Sequence, residues 1–113
     1  TSDIDVTAFE NATMKRIGMI PQIVVRYRST YFNHVFSGGY SAGYYSYTWA
    51  EVLDADAFQA FKETGDIFNR EVAEKFEKEI LSRGGSRDPL EMYISFRGKE
   101  PGIEALLENR GLK

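Results

Sequence analysis

Four of the seven tyrosines fall within the eight residues from Tyr40 to Tyr47, and the sole histidine, His34, stands six positions before the first of them. An un-ionised phenol donates a hydrogen bond at neutral pH. Such a donor suits two tasks: holding a peptide carbonyl, or stabilising the oxyanion of a tetrahedral intermediate. Gly38, Gly39 and Gly43, with Ser41 among them, give this stretch a backbone that can bend while it presents the rings. On a helix beginning near Tyr40, the residues Tyr40, Tyr44 and Tyr47 lie at i, i+4 and i+7 and gather three phenols on one face. Aromatic residues at helical spacing more commonly fill a core, and Tyr45 and Trp49 are read that way. His34, taken alone, reads first as a hydrogen-bonded structural histidine.

Other chemistries are poorly provided for. One histidine, no cysteine and no His-Glu-x-x-His pair mean that the chain by itself cannot assemble a histidine-rich catalytic zinc site. The carboxylates from Glu71 to Glu79 are spaced as solvated ion-pair partners, Glu71 with Lys75 and Glu74 with Lys78. Gly38-Gly39 matches neither a phosphate-binding loop nor a dinucleotide fingerprint. A formal charge of −3 lacks the basic excess that a nucleic-acid surface needs. The longest apolar run, Met19 to Val25, is interrupted by Pro21 and Gln22 and is far shorter than the ~20 residues of a bilayer span, so neither a nucleic-acid nor a membrane partner is expected. The opening residues Thr1 to Asp5 are polar and acidic, unlike a signal peptide, and read as a chain entered partway. The compartment stays unknown, with the cytoplasm favoured over the periplasm.

The elements that must position these residues are helical. With 113 residues, 42% hydrophobic and 27% charged, one soluble domain is expected. Asp5 can cap a short helix over residues 6–16, with Val6, Phe9 and Met14 as its apolar positions. Residues 19–36 follow no single period, and Pro21 forbids a continued helix, so an irregular stretch with a short extended piece is expected. From near Tyr40 a long helix runs to Glu63 and stops at Gly65, with Ala42, Tyr45, Trp49, Val52 and Leu53 on its core side. Asp66 caps the next, in which Phe68, Val72, Phe76 and Ile80 form an apolar row ending at Gly84-Gly85. Ser86 or Asp88, with Pro89 in the first turn, starts a helix carrying Leu90, Tyr93 and Ile94 and stopping at Gly98. Pro101 opens the last, with Ile103, Leu106 and Leu107 inward. The fold class is an all-α bundle with an irregular N-terminal segment and a Gly-rich loop.

The segment from Arg26-Tyr27-Arg28-Ser29 through Phe32-Asn33-His34, then Ser37-Gly38-Gly39-Tyr40-Ser41-Ala42-Gly43-Tyr44-Tyr45-Ser46-Tyr47-Thr48-Trp49, resembles the substrate-binding stretch of the thimet oligopeptidase and peptidyl-dipeptidase family. The likeness continues through Ile80-Leu81-Ser82-Arg83-Gly84-Gly85 and Phe96-Arg97-Gly98-Lys99-Glu100-Pro101 to Arg110-Gly111-Leu112, which looks like that family's C-terminus. It implies that residues 1–113 are a single C-terminal substrate-binding segment of a larger, clam-shaped catalytic domain that admits short peptides. The implied roles are catalytic for Tyr40, Tyr47 and His34, and substrate-binding for Tyr44, Gly38, Gly39, Ser41 and Gly43, with residues 37–43 as a mobile loop. Zinc would be bound by residues outside this chain, with none held within it. The implied partners are a short peptide substrate and the remainder of the parent peptidase, without which this piece is expected to be inactive. His34 six before Tyr40, and Ser41 after it, favour the peptidyl-dipeptidase branch. Thr48 departs from the leucine usual there, and Val24-Val25 from the prolines that often precede Arg-Tyr-Arg. The alternative is a non-catalytic helical module that binds peptides or a protein through its tyrosines.

Overall fold

The structure, a computed structural model, describes residues 3–113; Thr1 and Ser2, part of the polar opening noted above, lie outside the described residues. Among the described residues the regular elements are all helical, in the order α1 (Val6–Arg16), a 3-10 turn (Ser29–Tyr31), α2 (Asn33–Phe36), α3 (Ser46–Glu63), α4 (Arg70–Phe76), a π turn (Glu77–Leu81), α5 (Pro89–Arg97) and α6 (Glu104–Asn109). The described residues fall into two compact units, one up to Tyr44 and the other Tyr45–Lys113.

In the first unit, Asp5 caps α1 by accepting from the Ala8 amide at 3.0 Å. The buried residue of this helix is Glu10, whereas Phe9 is exposed. α1 packs against the 3-10 turn. Residues 19–28 are irregular, as their broken period predicts, but the extended piece is absent and the segment ends in short helical turns instead.

The second unit holds the apolar core: Val52 and Ala55 of α3, Met92, Tyr93 and Phe96 of α5, and Ala105 of α6. α3 packs on α6, and α5 on the π turn. Phe96 meets Phe76 edge-on with ring centroids 5.1 Å apart. A charged cluster runs into this core. The Tyr93 phenol donates to Asp56 Oδ2 at 2.6 Å, and Arg97 forks onto Glu63 at 2.7 and 2.6 Å while its Nε lies 3.3 Å from Asp56. Burial first, and the Asp56 carboxylate second, push the Tyr93 phenol well above its ordinary value. The Arg97 fork holds the Glu63 carboxyl below its usual range.

Several expected details are corrected. α3 begins at Ser46, not Tyr40, because Ala42 sits at φ 54, in the left-handed region that breaks a right-handed helix. Ala42, Tyr45 and Trp49 are exposed, and the α3 core face is Val52, Ala55 and Asp56. The cap of α4 is Asn69, accepting from the Val72 amide at 3.0 Å; Asp66 instead closes its own turn onto the Phe68 amide at 2.9 Å. Phe68 consequently points away from the core, 84% exposed. The ion pair on α4 is Arg70 with Glu74 at 2.7 Å, in place of the two expected pairs. α5 starts with Asp88 as cap and Pro89 in its first turn, as read, but its buried residues are Met92, Tyr93 and Phe96, while Leu90 and Ile94 are exposed. Ile103 is exposed, and the residue of α6 that buries is Ala105.

Candidate functional site

The candidate side chains of the first unit are set by a sequence of tight turns. Asn33 carries two of them: its carbonyl accepts from the Ser37 amide at 2.8 Å and the Gly38 amide at 2.9 Å. The His34 carbonyl accepts from the Tyr40 amide at 3.2 Å, and the Tyr40 carbonyl from the Gly43 amide at 3.0 Å. Ser41 Oγ reaches back to the Val35 carbonyl at 2.9 Å. The stretch that holds Gly38, Gly39, Tyr40, Ser41, Gly43 and Tyr44 is therefore folded back onto α2 by its own hydrogen bonds. A Cβ on Gly38 would stand 2.8 Å from the His34 carbonyl oxygen, whereas one on Gly39 would meet nothing within 4 Å. Gly38 alone in this loop is required by close approach.

These turns bring His34, Tyr40 and Tyr44 together. The imidazole centroid lies 5.7 Å from the Tyr44 ring and 6.2 Å from that of Tyr40, and the two tyrosine rings are 6.1 Å apart at 84°. Tyr27 and Phe32, which the sequence reading did not single out, complete the group: Tyr27 stacks on Phe32 at 5.3 Å and lies 5.5 Å from His34, and Phe32 meets Tyr44 edge-on at 4.8 Å. Each such pair contributes about 0.5–1.5 kcal/mol beyond area burial when packed, less where water reaches it. Tyr27, Phe32 and Tyr44 are half-buried and form a platform, while His34 and Tyr40 are more exposed at its edge. Tyr47 belongs to the second unit, in the first turn of α3, and is 52% exposed. The shared helical face expected for Tyr40, Tyr44 and Tyr47 does not exist, since the first two precede the helix.

A carboxylate is held by the two residues that follow Tyr27. Glu10, only 6% exposed, accepts from Arg28 Nη1 at 2.8 Å, from the Ser29 amide at 2.8 Å and from Ser29 Oγ at 3.1 Å. The Ser29 amide is the main reason its carboxyl titrates below the usual glutamate value, with the Ser29 hydroxyl and Arg28 adding to it against the opposing effect of desolvation. No pattern of periodicity marks Glu10; one acid on a polar helix looks solvated until the packing is seen. Among the described residues no group of three His, Cys, Asp or Glu side chains is placed to hold a metal ion, and no helix is long and apolar enough to cross a membrane. The described residues do not fit a zinc site.

The geometry is a turn-rich aromatic cluster with one imidazole at its edge. The profile of Peptidase family M3 matches residues 1–112. Oligopeptidase A of Escherichia coli is 57% identical over 82 residues, which cover 73% of this chain and 12% of that protein. Dipeptidyl carboxypeptidase of Escherichia coli is 46% identical over 109 residues, covering 96% and 16%. Saccharolysin of Saccharomyces cerevisiae is 38% identical over 82 residues, covering 73% and 11%. The chain belongs to Peptidase family M3, the thimet oligopeptidase and peptidyl-dipeptidase family whose pattern the run from Arg26 to Trp49 resembles. It spans between 11% and 16% of the length of these relatives.

Proposed function

We propose that the chain is the C-terminal substrate-binding segment of a zinc peptidase that cuts short peptides, and that it supplies hydrogen-bond donors to the scissile group. In this reading Tyr40 and Tyr47 donate to the carbonyl oxygen as negative charge develops on it, with His34 assisting. Tyr44 and the backbone around Gly38, Gly39, Ser41 and Gly43 hold the peptide. The observation that carries the reading is the ring cluster uniting His34, Tyr40 and Tyr44; the part given to Tyr47 rests on the resemblance alone. Zinc and the group that activates water belong to residues outside this chain, so the isolated chain is inactive. The exposed Trp49 and Phe58 of α3, with Tyr45 just before it, fit a protein whose surfaces are covered by further polypeptide. Release of dipeptides from C-termini is the activity favoured, on the spacing of His34 to Tyr40 and on Ser41.

The test is Tyr47→Phe and Tyr40→Phe in the intact peptidase. A phenol acting only on the developing oxyanion shows as a loss of about 2–4 kcal/mol in kcat with little change in KM. A loss confined to KM means ground-state binding, and no loss from either substitution overturns the reading.

A further inference from the structure

Glu10 is one of two acidic side chains among the described residues that are buried, and it lies on α1, outside the segment to which any role has been given. Its three donors come from two consecutive residues, Arg28 and Ser29. Those two sit immediately after Tyr27: Arg28 caps and Ser29 opens the 3-10 turn that leads into Phe32 and His34. Tyr27 in turn faces both Phe32 and His34. The carboxylate thus pins the backbone between Tyr27 and the turn that leads to Phe32 and His34. A buried carboxylate satisfied by a backbone amide, a hydroxyl and a guanidinium is held in one geometry, and a displacement at its anchor passes directly to the rings on either side. Deleting it removes the acceptor shared by the Ser29 amide, the Ser29 hydroxyl and the Arg28 guanidinium, so the turn loses the tie that holds it to α1.

We propose that Glu10 is a positioning residue for His34: it acts on the reaction through Ser29 and Tyr27, by fixing where the imidazole stands, and touches no substrate itself. This rests on the role given to His34 above.

The experiment is a double-mutant cycle in the intact zinc-loaded peptidase, with Glu10→Gln, His34→Ala and the pair. Glutamine keeps the volume but offers one acceptor oxygen to three donors, so at least one donor faces an amide NH2. The expected result is a fall in kcat/KM of about 10- to 100-fold for Glu10→Gln, the scale of a small misplacement. In the His34→Ala background the same change is expected to cost less than about twofold, because there is no imidazole left to misplace. Zinc content and thermal midpoint are read in parallel. If Glu10→Gln does not fold or load metal, Arg28→Lys, which keeps the charge but loses the guanidinium fork, is read in the same cycle. Losses that multiply independently, or a Glu10 variant as active as wild type, overturn the positioning role. His34→Ala at full activity sinks the role of His34 itself, a result distinct from multiplying losses.

Discussion

The phenol of Tyr93 on α5 donates to the carboxylate of Asp56 on α3 at 2.6 Å, inside a core where the two residues are 6% and 5% exposed. Tyr93→Phe keeps the ring and leaves the carboxylate one donor short, which is expected to cost about 1–3 kcal/mol of unfolding free energy. Arg70→Ala breaks an ion pair whose partners are 90% and 63% exposed, and is expected to cost no more than about 0.5 kcal/mol. Urea unfolding of the two variants checks the contrast; equal losses would remove Asp56–Tyr93 from its place at the centre of the second unit.

The same pair sets behaviour in alkali. The folded protein holds the Tyr93 proton more tightly than the unfolded chain does, so above the ordinary tyrosine value of about 10 the unfolded state loses its proton first. Stability is therefore full below that pH and declines as pH rises past it. Tyr93→Phe is expected to lack this decline, and a stability curve from pH 9 to 11 tests it.

Acid acts through Glu10 and Glu63, both titrating below the ordinary 4.5 in the folded state. The unfolded chain binds protons first as pH falls, so their contribution is present above that value and is lost on going below it, through the lower folded values. Glu10→Gln is expected to flatten the acid limb of the stability curve. An unchanged limb would mean that the Ser29 amide does not hold the carboxylate in solution.

Within the glycine-rich loop, two neighbouring substitutions should differ sharply. Gly38→Ala places a methyl against the His34 carbonyl, while Gly39→Ala meets open space. Gly38→Ala in the intact enzyme is expected to lower kcat/KM by at least about tenfold, with Gly39→Ala within about twofold. Equal effects would show that the loop needs flexibility rather than close approach.

Ala42 offers a change in the other direction. It holds φ 54 without the freedom of glycine, a conformation costing an L-residue about 1–2 kcal/mol. Ala42→Gly relieves this but loosens the unfolded chain, so a net gain of up to about 1 kcal/mol is expected from thermal unfolding. A loss would mean that the methyl group packs usefully.

What could be read from the sequence follows from which interactions are local. The cap at Asp5, the Asp88-Pro89 start of α5 and the glycine stop at Gly98 depend on a few adjacent residues, and all three stand where they were read. The resemblance carried the family. The start of α3 was misread because periodicity from Tyr40 onward is continuous in residue type, and only the backbone angle at Ala42 interrupts it. Tyr45 and Trp49 have the spacing of a buried stripe, but spacing does not state what covers it. Tyr27, Phe32 and Glu10 join the site through contacts made by irregular chain, for which no repeat exists to be recognised. Asp66 and Asn69 are equally good caps by type, and the choice between them was made by Thr64, whose hydroxyl bonds the Asp66 amide at 3.1 Å and draws that residue into a separate turn.

The Glu77–Leu81 turn closes with Ser82 donating to the Glu77 carbonyl at 2.9 Å, five residues back. Such a winding accommodates one more residue than an ordinary helical loop, so the segment beyond Leu81 leaves the axis rotated by about 100° from where an uninterrupted helix would send it. Length is thus an angular variable here: excising a single residue from this coil would act like a turned screw, swinging α5 away and unseating Phe96 from Phe76, even though every remaining side chain would be of the right kind.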